Sequence, residues 1–205
     1  MQNSMMAEYA HIAKRILDSK EADMKLRERL AQEGKLWDGY NKEMEALHNS
    51  NADALNEIIN AIGYPTKEKV GKEATEAAWL VIQHSISRPK FMKKCAKLLE
   101  AKSSVDIEQS RNLAYLTDRI AVYEERPQLF GTQFDWDRQG QLSPNPYDDK
   151  VKVNQRRLSI GLNTLEEQTE VLRRRAKDEN ERPPDDFEAR RAAMREWKRE
   201  SGWIE

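Results

Sequence analysis

The stretch Ala77-Ala-Trp-Leu-Val-Ile82 decides the predicted fold class. As a helix it is apolar on every side, which is typical of a helix enclosed by other helices. Apolar residues recur at spacings of three and four along most of the chain, as they do in amphipathic helices. The spacing predicts helices at residues 5–17, 21–32, 37–47, 52–62, 70–86, 90–99, 107–123, 150–160, 165–177 and 187–197. The core is expected to contain Trp79, Leu80, Ile82, Leu113, Leu116 and Ile120.

The pattern changes between residues 127 and 147, where prolines and glycines exclude a long helix. Thr132, Phe134 and Trp136 alternate there with polar residues, a period of two that predicts a short strand or a hairpin turning near Gly140. The predicted fold class is therefore mainly α, a multi-helix single domain with one short β-hairpin and a charged C-terminal helical tail.

Two segments are predicted from the change in composition near residue 178. Residues 1–177 form the helical domain, and residues 178–205 form a charged helical appendage that begins before the break at Pro183-Pro184. Trp197 and Trp203 in this tail are candidate anchors for a protein partner.

Composition and charge argue against a nucleic-acid-binding, membrane-spanning or secreted protein. The net charge is -1, with 35 basic and 36 acidic side chains interspersed, so no overall field attracts nucleic acid. No stretch is apolar for long enough to span a bilayer, and the charged N-terminus does not read as a secretory signal. The single cysteine, Cys95, fits a reducing compartment. We expect a soluble, cytoplasmic protein without nucleic-acid or membrane partners.

Two of the enclosed helices each carry a polar pair, Gln83-His84 and Asp118-Arg119. A buried charge needs partners because an unpaired one costs several kcal/mol. One interpretation is structural, with Asp118 and Arg119 in ion pairs and His84 as a satisfied core or helix-end histidine. The other is a shared cleft in which His84 is the general acid or base, Asp118 orients it, and Arg119 binds an anion.

Further candidate ligand-binding residues are expected near these two polar pairs. Thr132 and Gln133 lie on the loop of Gly131, where donors and acceptors often complete a site. Arg27 and Arg156 on neighbouring helices would make the pocket electropositive, which favours a carboxylate or phosphate ligand. The predicted ligand-binding set is Gln83, Arg119, Thr132, Gln133, Arg27 and Arg156, with His84 and Asp118 as the catalytic residues.

Spacing along the chain gives no motif for a metal or a cofactor. The histidines His11, His48 and His84 lack short ligand spacing, and one cysteine makes no thiolate site. The sequence also lacks a glycine-rich phosphate loop, a dinucleotide fingerprint and a serine nucleophile elbow. No metal and no cofactor are therefore expected.

Ordered motifs run through residues 20–168. They are Asp23 with Arg27, Gly63-Tyr-Pro-Thr66, Val70-Gly71, Ala78-Trp-Leu-Val-Ile-Gln-His84, Leu113-Ala-Tyr-Leu-Thr-Asp-Arg119, Pro127-Gln128, Phe130-Gly-Thr-Gln133, Pro144 to Pro146, and Arg156-Arg-Leu-Ser-Ile-Gly-Leu162. Together they resemble an uncharacterised bacterial family, a domain of unknown function. The resemblance implies that the polar groups in these motifs belong to the family pattern. The family loop usually has tyrosine where this chain has Phe130, which puts a role for a phenol hydroxyl there in doubt.

Two function hypotheses remain open. The first is an enzyme that acts on a small anionic or amide-containing substrate through His84, Asp118, Arg119 and Gln133. The second is a non-catalytic ligand-binding or protein-interaction module, such as a sensor or an immunity-type partner. Convergence of these side chains on one concave pocket would favour a site for a ligand.

Overall fold

The computed structural model describes residues 8–36, 40–101 and 107–205, which form nine helices and one two-stranded antiparallel sheet. The predicted mainly α class with a short hairpin is confirmed. The helices are α1 (Ala10–Gln32), α2 (Lys42–Ile62), α3 (Lys67–Val70), α4 (Lys72–His84), α5 (Pro89–Glu100), α6 (Ile107–Tyr123), α7 (Lys150–Ser159), α8 (Leu165–Asp178) and α9 (Phe187–Glu200).

The chain divides into two compact units, an N-terminal unit that ends at Cys95 and a C-terminal unit that begins at Ala96. In the N-terminal unit, α1 packs against α2, α3 and α4, and α4 also packs against α2. The apolar stripes of these helices meet in a core that includes Ile16, Leu30, Met44, Leu55, Ile59, Ala77, Ala78, Val81 and Ile82. Burial of these stripes is the main stabilising contribution.

Two predicted breaks in the helices of the N-terminal unit are wrong. Residues 10–32 form one helix, and the second helix is also continuous through residues 48–51. Asn41 is the N-cap of α2, since its side chain accepts hydrogen bonds from the backbone N–H groups of Glu43 and Met44. Asn51, which lies in the predicted break between residues 47 and 52, donates to the backbone oxygen of Ser19 on α1. A polar side chain with a tertiary partner is tolerated inside a helix.

The C-terminal unit contains the predicted hairpin. Strand β1 (Phe134–Trp136) pairs antiparallel with β2 (Leu142–Pro144). Asp137 closes the turn because its carboxylate accepts from the backbone N–H groups of Gln139 and Gln141, and Gly140 adopts the positive φ of 69° that the turn requires. Helix α8 packs against β2 and α7.

The predicted core is partly correct. Ile82, Leu116 and Ile120 are buried, but Trp79, Leu80 and Leu113 are only partly buried. One side of helix α4 is therefore not fully enclosed by its packing, although residues 77–82 are apolar on every side of the helix.

The C-terminal segment makes specific contacts within its unit. No residue of α9 is buried, yet Trp203 beyond it is 5% exposed. The ring of Tyr123 on α6 lies 5.5 Å from that of Trp197 and 5.0 Å from that of Trp203. The boundary at residue 177 and the role of the two tryptophans in binding a partner remain predictions. In the described part of the chain, no helix combines the length and apolar character needed to cross a bilayer.

Leu116→Ala should lower the free energy of unfolding by about 2–5 kcal/mol, because the side chain is 1% exposed and its truncation leaves a cavity. Urea denaturation measures the loss. Leu158→Ala is the control, since Leu158 is 61% exposed in the same unit and its truncation should change stability by less than about 0.5 kcal/mol. A loss below about 1 kcal/mol for Leu116→Ala would contradict the packing of α6.

Candidate functional site

The carboxylate of Asp23 lies between two imidazoles in the N-terminal unit. Asp23 Oδ2 is 2.7 Å from His84 Nδ1, a hydrogen bond, and 3.0 Å from His48 Nε2. The two imidazole rings are 4.9 Å apart between centroids. We call these three residues the Asp23 cluster.

Each member of the Asp23 cluster comes from a different helix. Asp23 lies on α1 two turns after Ile16 and two turns before Leu30, so it falls on the buried stripe of that helix. His48 lies one turn after the buried Met44 on α2. His84 is the last residue of α4. Packing of α1 with α2 and α4 therefore brings the three polar side chains together.

The Asp23 cluster is buried but not sealed. The side chains of Asp23 and His48 are 1% and 8% exposed, whereas that of His84 is 27% exposed. Burial alone would raise the pKa of Asp23, but the adjacent imidazoles of His48 and His84 outweigh it and hold that pKa well below its ordinary value. The carboxylate is therefore ionised at neutral pH.

Two buried polar atoms of the cluster lack hydrogen-bond partners among the described residues. They are Asp23 Oδ1 and His48 Nε2. The 3.0 Å approach of His48 Nε2 to the carboxylate is close but is not aligned as a hydrogen bond. Unsatisfied buried polar atoms are uncommon in native structures, and a bound water or ion is one of the features that account for them.

The Asp23 cluster has the geometry of a metal site. One ligand atom from each residue lies within 4.8 Å of the others, and no other such group of three occurs within residues 8–36, 40–101 and 107–205. Sequence spacing did not reveal this cluster, because Asp23, His48 and His84 are far apart along the chain. The signal that was available is a polar residue on the buried stripe of each of two helices, at Asp23 and at His48.

Asp118, the predicted partner of His84, holds a loop in the C-terminal unit. Its carboxylate accepts from the backbone N–H groups of Leu129 at 2.8 Å, Phe130 at 3.1 Å and Thr132 at 2.9 Å. The Thr132 hydroxyl donates a further bond at 3.0 Å. Burial raises the pKa of Asp118, and these donors oppose the rise. Both oxygens are committed to residues 129–132, which we call the 129–132 loop.

Arg157, whose charge is opposite to that of Asp118, also holds the 129–132 loop. It is 1% exposed, and it donates to the backbone oxygens of Phe130 at 2.9 Å and Asn163 at 2.6 Å. Burial lowers its pKa. Gly131 has a φ of 60°, and a Cβ there would lie 2.7 Å from Leu165, so any other residue would strain the backbone and displace the Leu165 side chain. Arg157 was not among the predicted site residues.

The structure links four of the predicted site residues in the C-terminal unit. Arg119 Nε donates to Gln133 Oε1 at 3.0 Å, and Gln133 Nε2 donates to Thr132 Oγ1 at 3.0 Å. Thr132 in turn donates to Asp118. Arg156, also predicted, donates to the backbone oxygen of Leu129 at 3.1 Å.

The other predicted residues belong to the N-terminal unit. The carboxylate that contacts His84 is that of Asp23. Arg27 follows Asp23 by one turn of α1 and is exposed, and Gln83 precedes His84 at the end of α4. A single cavity shared by His84, Asp118, Arg119 and Gln133 remains a prediction.

A family model matches residues 10–177, and it describes a family of unknown function, DUF6624. The chain belongs to this family. The resemblance seen in the sequence motifs is confirmed. No curated protein and no solved structure matches the chain. The DUF6624 match includes the Asp23 cluster and the 129–132 loop, and it ends before α9.

Asp118→Ala should destabilise this DUF6624 protein by about 3 kcal/mol or more, because it leaves three backbone N–H groups of the loop without their acceptor. Chemical denaturation measures the change. Asp185→Ala, at an exposed aspartate of the same unit, should change stability by less than about 0.5 kcal/mol. If Asp118→Ala were as stable as the wild type, the result would instead support a catalytic or ligand-binding role for Asp118.

Proposed function

We propose that the protein is a metal-dependent enzyme in which Asp23, His48 and His84 bind one divalent transition-metal ion. The observation that carries the proposal is the convergence of their ligand atoms within 4.8 Å. The two atoms without hydrogen-bond partners, Asp23 Oδ1 and His48 Nε2, support it because both offer lone pairs to a cation.

The donor set favours zinc or a neighbouring transition metal. Two imidazoles and one carboxylate suit Zn²⁺ and also Fe²⁺, Mn²⁺ and Co²⁺, whereas Ca²⁺ and Mg²⁺ prefer oxygen ligands alone. Ligand atoms around a tetrahedral ion bound at about 2.0–2.1 Å lie about 3.3 Å apart. The contacts of 2.7 and 3.0 Å at Asp23 Oδ2 need to widen by about half an ångström, which side-chain rotation supplies.

Three protein ligands leave a coordination position open, as in catalytic rather than structural zinc sites. The 27% exposure of the His84 side chain supports access from solvent on that side of the cluster. A divalent ion held by Asp23, His48 and His84 would lower the pKa of a bound water and so would supply a nucleophile near neutral pH. Hydrolysis is the reaction class that this arrangement favours. In amide hydrolysis, water would add its oxygen to the carbonyl carbon in place of the nitrogen, and its proton would go to the departing amine.

The proposed substrate is small and anionic or amide-containing. Arg27 supports an anionic group, because it lies one turn after Asp23 on α1, is exposed, and makes no hydrogen bond or ion pair with the described residues. A guanidinium binds a carboxylate or a phosphate with two parallel hydrogen bonds. In this proposal Asp23, rather than Asp118, is the carboxylate that acts together with His84.

Metal binding is tested on the full-length chain after it has been freed of metal with a chelator. Titration with Zn²⁺, followed by calorimetry, should give one site per chain. His48→Gln and His84→Gln should weaken binding by more than about 100-fold, beyond the 10–100-fold typical of losing an outer-shell partner. Asp23→Asn should do the same.

His11→Gln is the matched control, because it removes an exposed histidine from the same helix as Asp23. It should bind Zn²⁺ like the wild type. Equal binding by His84→Gln and the wild type would contradict the metal site. Metal binding without turnover of any amide or ester in a substrate panel would favour the alternative, a non-catalytic ligand-binding module.

A further inference from the structure

Tyr40 contacts both histidines of the Asp23 cluster. Its hydroxyl oxygen is 2.7 Å from His48 Nδ1 and 3.5 Å from the backbone oxygen of His84. The rings of Tyr40 and His48 are also stacked, with centroids 5.8 Å apart. Neither the motifs nor the spacing of the histidines singled out this residue. We propose that Tyr40 is a positioning residue whose hydrogen bond with His48 Nδ1 directs His48 Nε2 at the metal site.

With a metal on His48 Nε2, the direction of the hydrogen bond to Tyr40 follows from counting protons. A neutral imidazole has one N–H, and binding through Nε2 would leave that proton on Nδ1. The proton in the 2.7 Å contact would then belong to His48 Nδ1, and the Tyr40 oxygen would accept it. The hydroxyl of Tyr40 also lies 3.5 Å from the His84 carbonyl, which can accept its proton.

The opposite direction suits the metal-free protein. If Tyr40 donates to His48 Nδ1, the proton of His48 lies on Nε2, 3.0 Å from the ionised carboxylate of Asp23, which attracts it although the contact is not aligned as a hydrogen bond. A cation at the cluster would take the place of that proton, because a nitrogen that binds a metal offers its lone pair. The hydroxyl of Tyr40 serves both states, since a phenol can either donate to His48 Nδ1 or accept from it.

This inference rests on the proposed metal site and assigns its outer partner. A histidine ligand usually donates its second N–H to an oxygen acceptor, which sets its tautomer and the orientation of its ring. Here the acceptor is a phenol that also contacts the backbone of the second histidine ligand. Tyr40 thus couples the orientation of His48 on α2 to the end of α4.

Tyr40→Phe tests the role, since phenylalanine keeps the stacked ring and removes only the hydroxyl. Tyr40→Phe should weaken Zn²⁺ binding by about 10–100-fold while the melting temperature of the metal-free protein changes little. The control is Tyr64→Phe, because Tyr64 is a buried tyrosine of the same unit that has no hydrogen bond to Asp23, His48 or His84. It should bind Zn²⁺ like the wild type.

The nitrogen chemical shifts of the His48 imidazole, measured by NMR with and without Zn²⁺, are a second readout. In the wild type, Zn²⁺ should bind Nε2 and leave the proton of His48 on Nδ1. Unchanged Zn²⁺ affinity in Tyr40→Phe would overturn the role of Tyr40 and leave the metal site intact. A wild type that binds no Zn²⁺ would overturn the metal site itself. Zn²⁺ bound through His48 Nδ1 would overturn the positioning by Tyr40.

Discussion

Asp23 places a carboxylate inside the N-terminal unit, with a side chain that is 1% exposed. An isolated ionised carboxylate in such a position costs several kcal/mol, so the three helices around it must supply compensation. They do so with His48 from α2 and His84 from α4, both of which approach the same carboxylate oxygen. The packing of α1, α2 and α4 is therefore tied to the position of this one charged group.

The C-terminal unit stabilises a buried carboxylate in a different way. Asp118 is as buried as Asp23, but the N–H groups of the 129–132 loop satisfy both of its oxygens. Arg157 holds the carbonyls of the same loop. A carboxylate with every lone pair engaged fixes a loop, whereas one with a free oxygen has capacity for a ligand. This difference, rather than burial alone, makes Asp23 the centre of the proposed site.

Local sequence patterns predicted the fold class, most of the helices, and the turn at Gly140. They failed where a tertiary contact decides the outcome. A helix break was predicted at residues 48–51, yet Asn51 lies inside α2 and its side chain bonds to the backbone of α1. The Asp23 cluster was missed because its members approach one another only when α1, α2 and α4 pack. Asp23 and His48 did carry a local signal, since each interrupts an apolar stripe. The pattern within one helix does not indicate which polar side chains of other helices will contact it.

Anomalous X-ray diffraction at the zinc edge, from crystals grown with Zn²⁺, tests the central claim most directly. We expect one strong anomalous peak in the N-terminal unit, within about 2.0–2.2 Å of Asp23, His48 and His84, with a fourth position filled by water. A Zn²⁺ peak that avoids this cluster, for example one at the exposed His11, would contradict it.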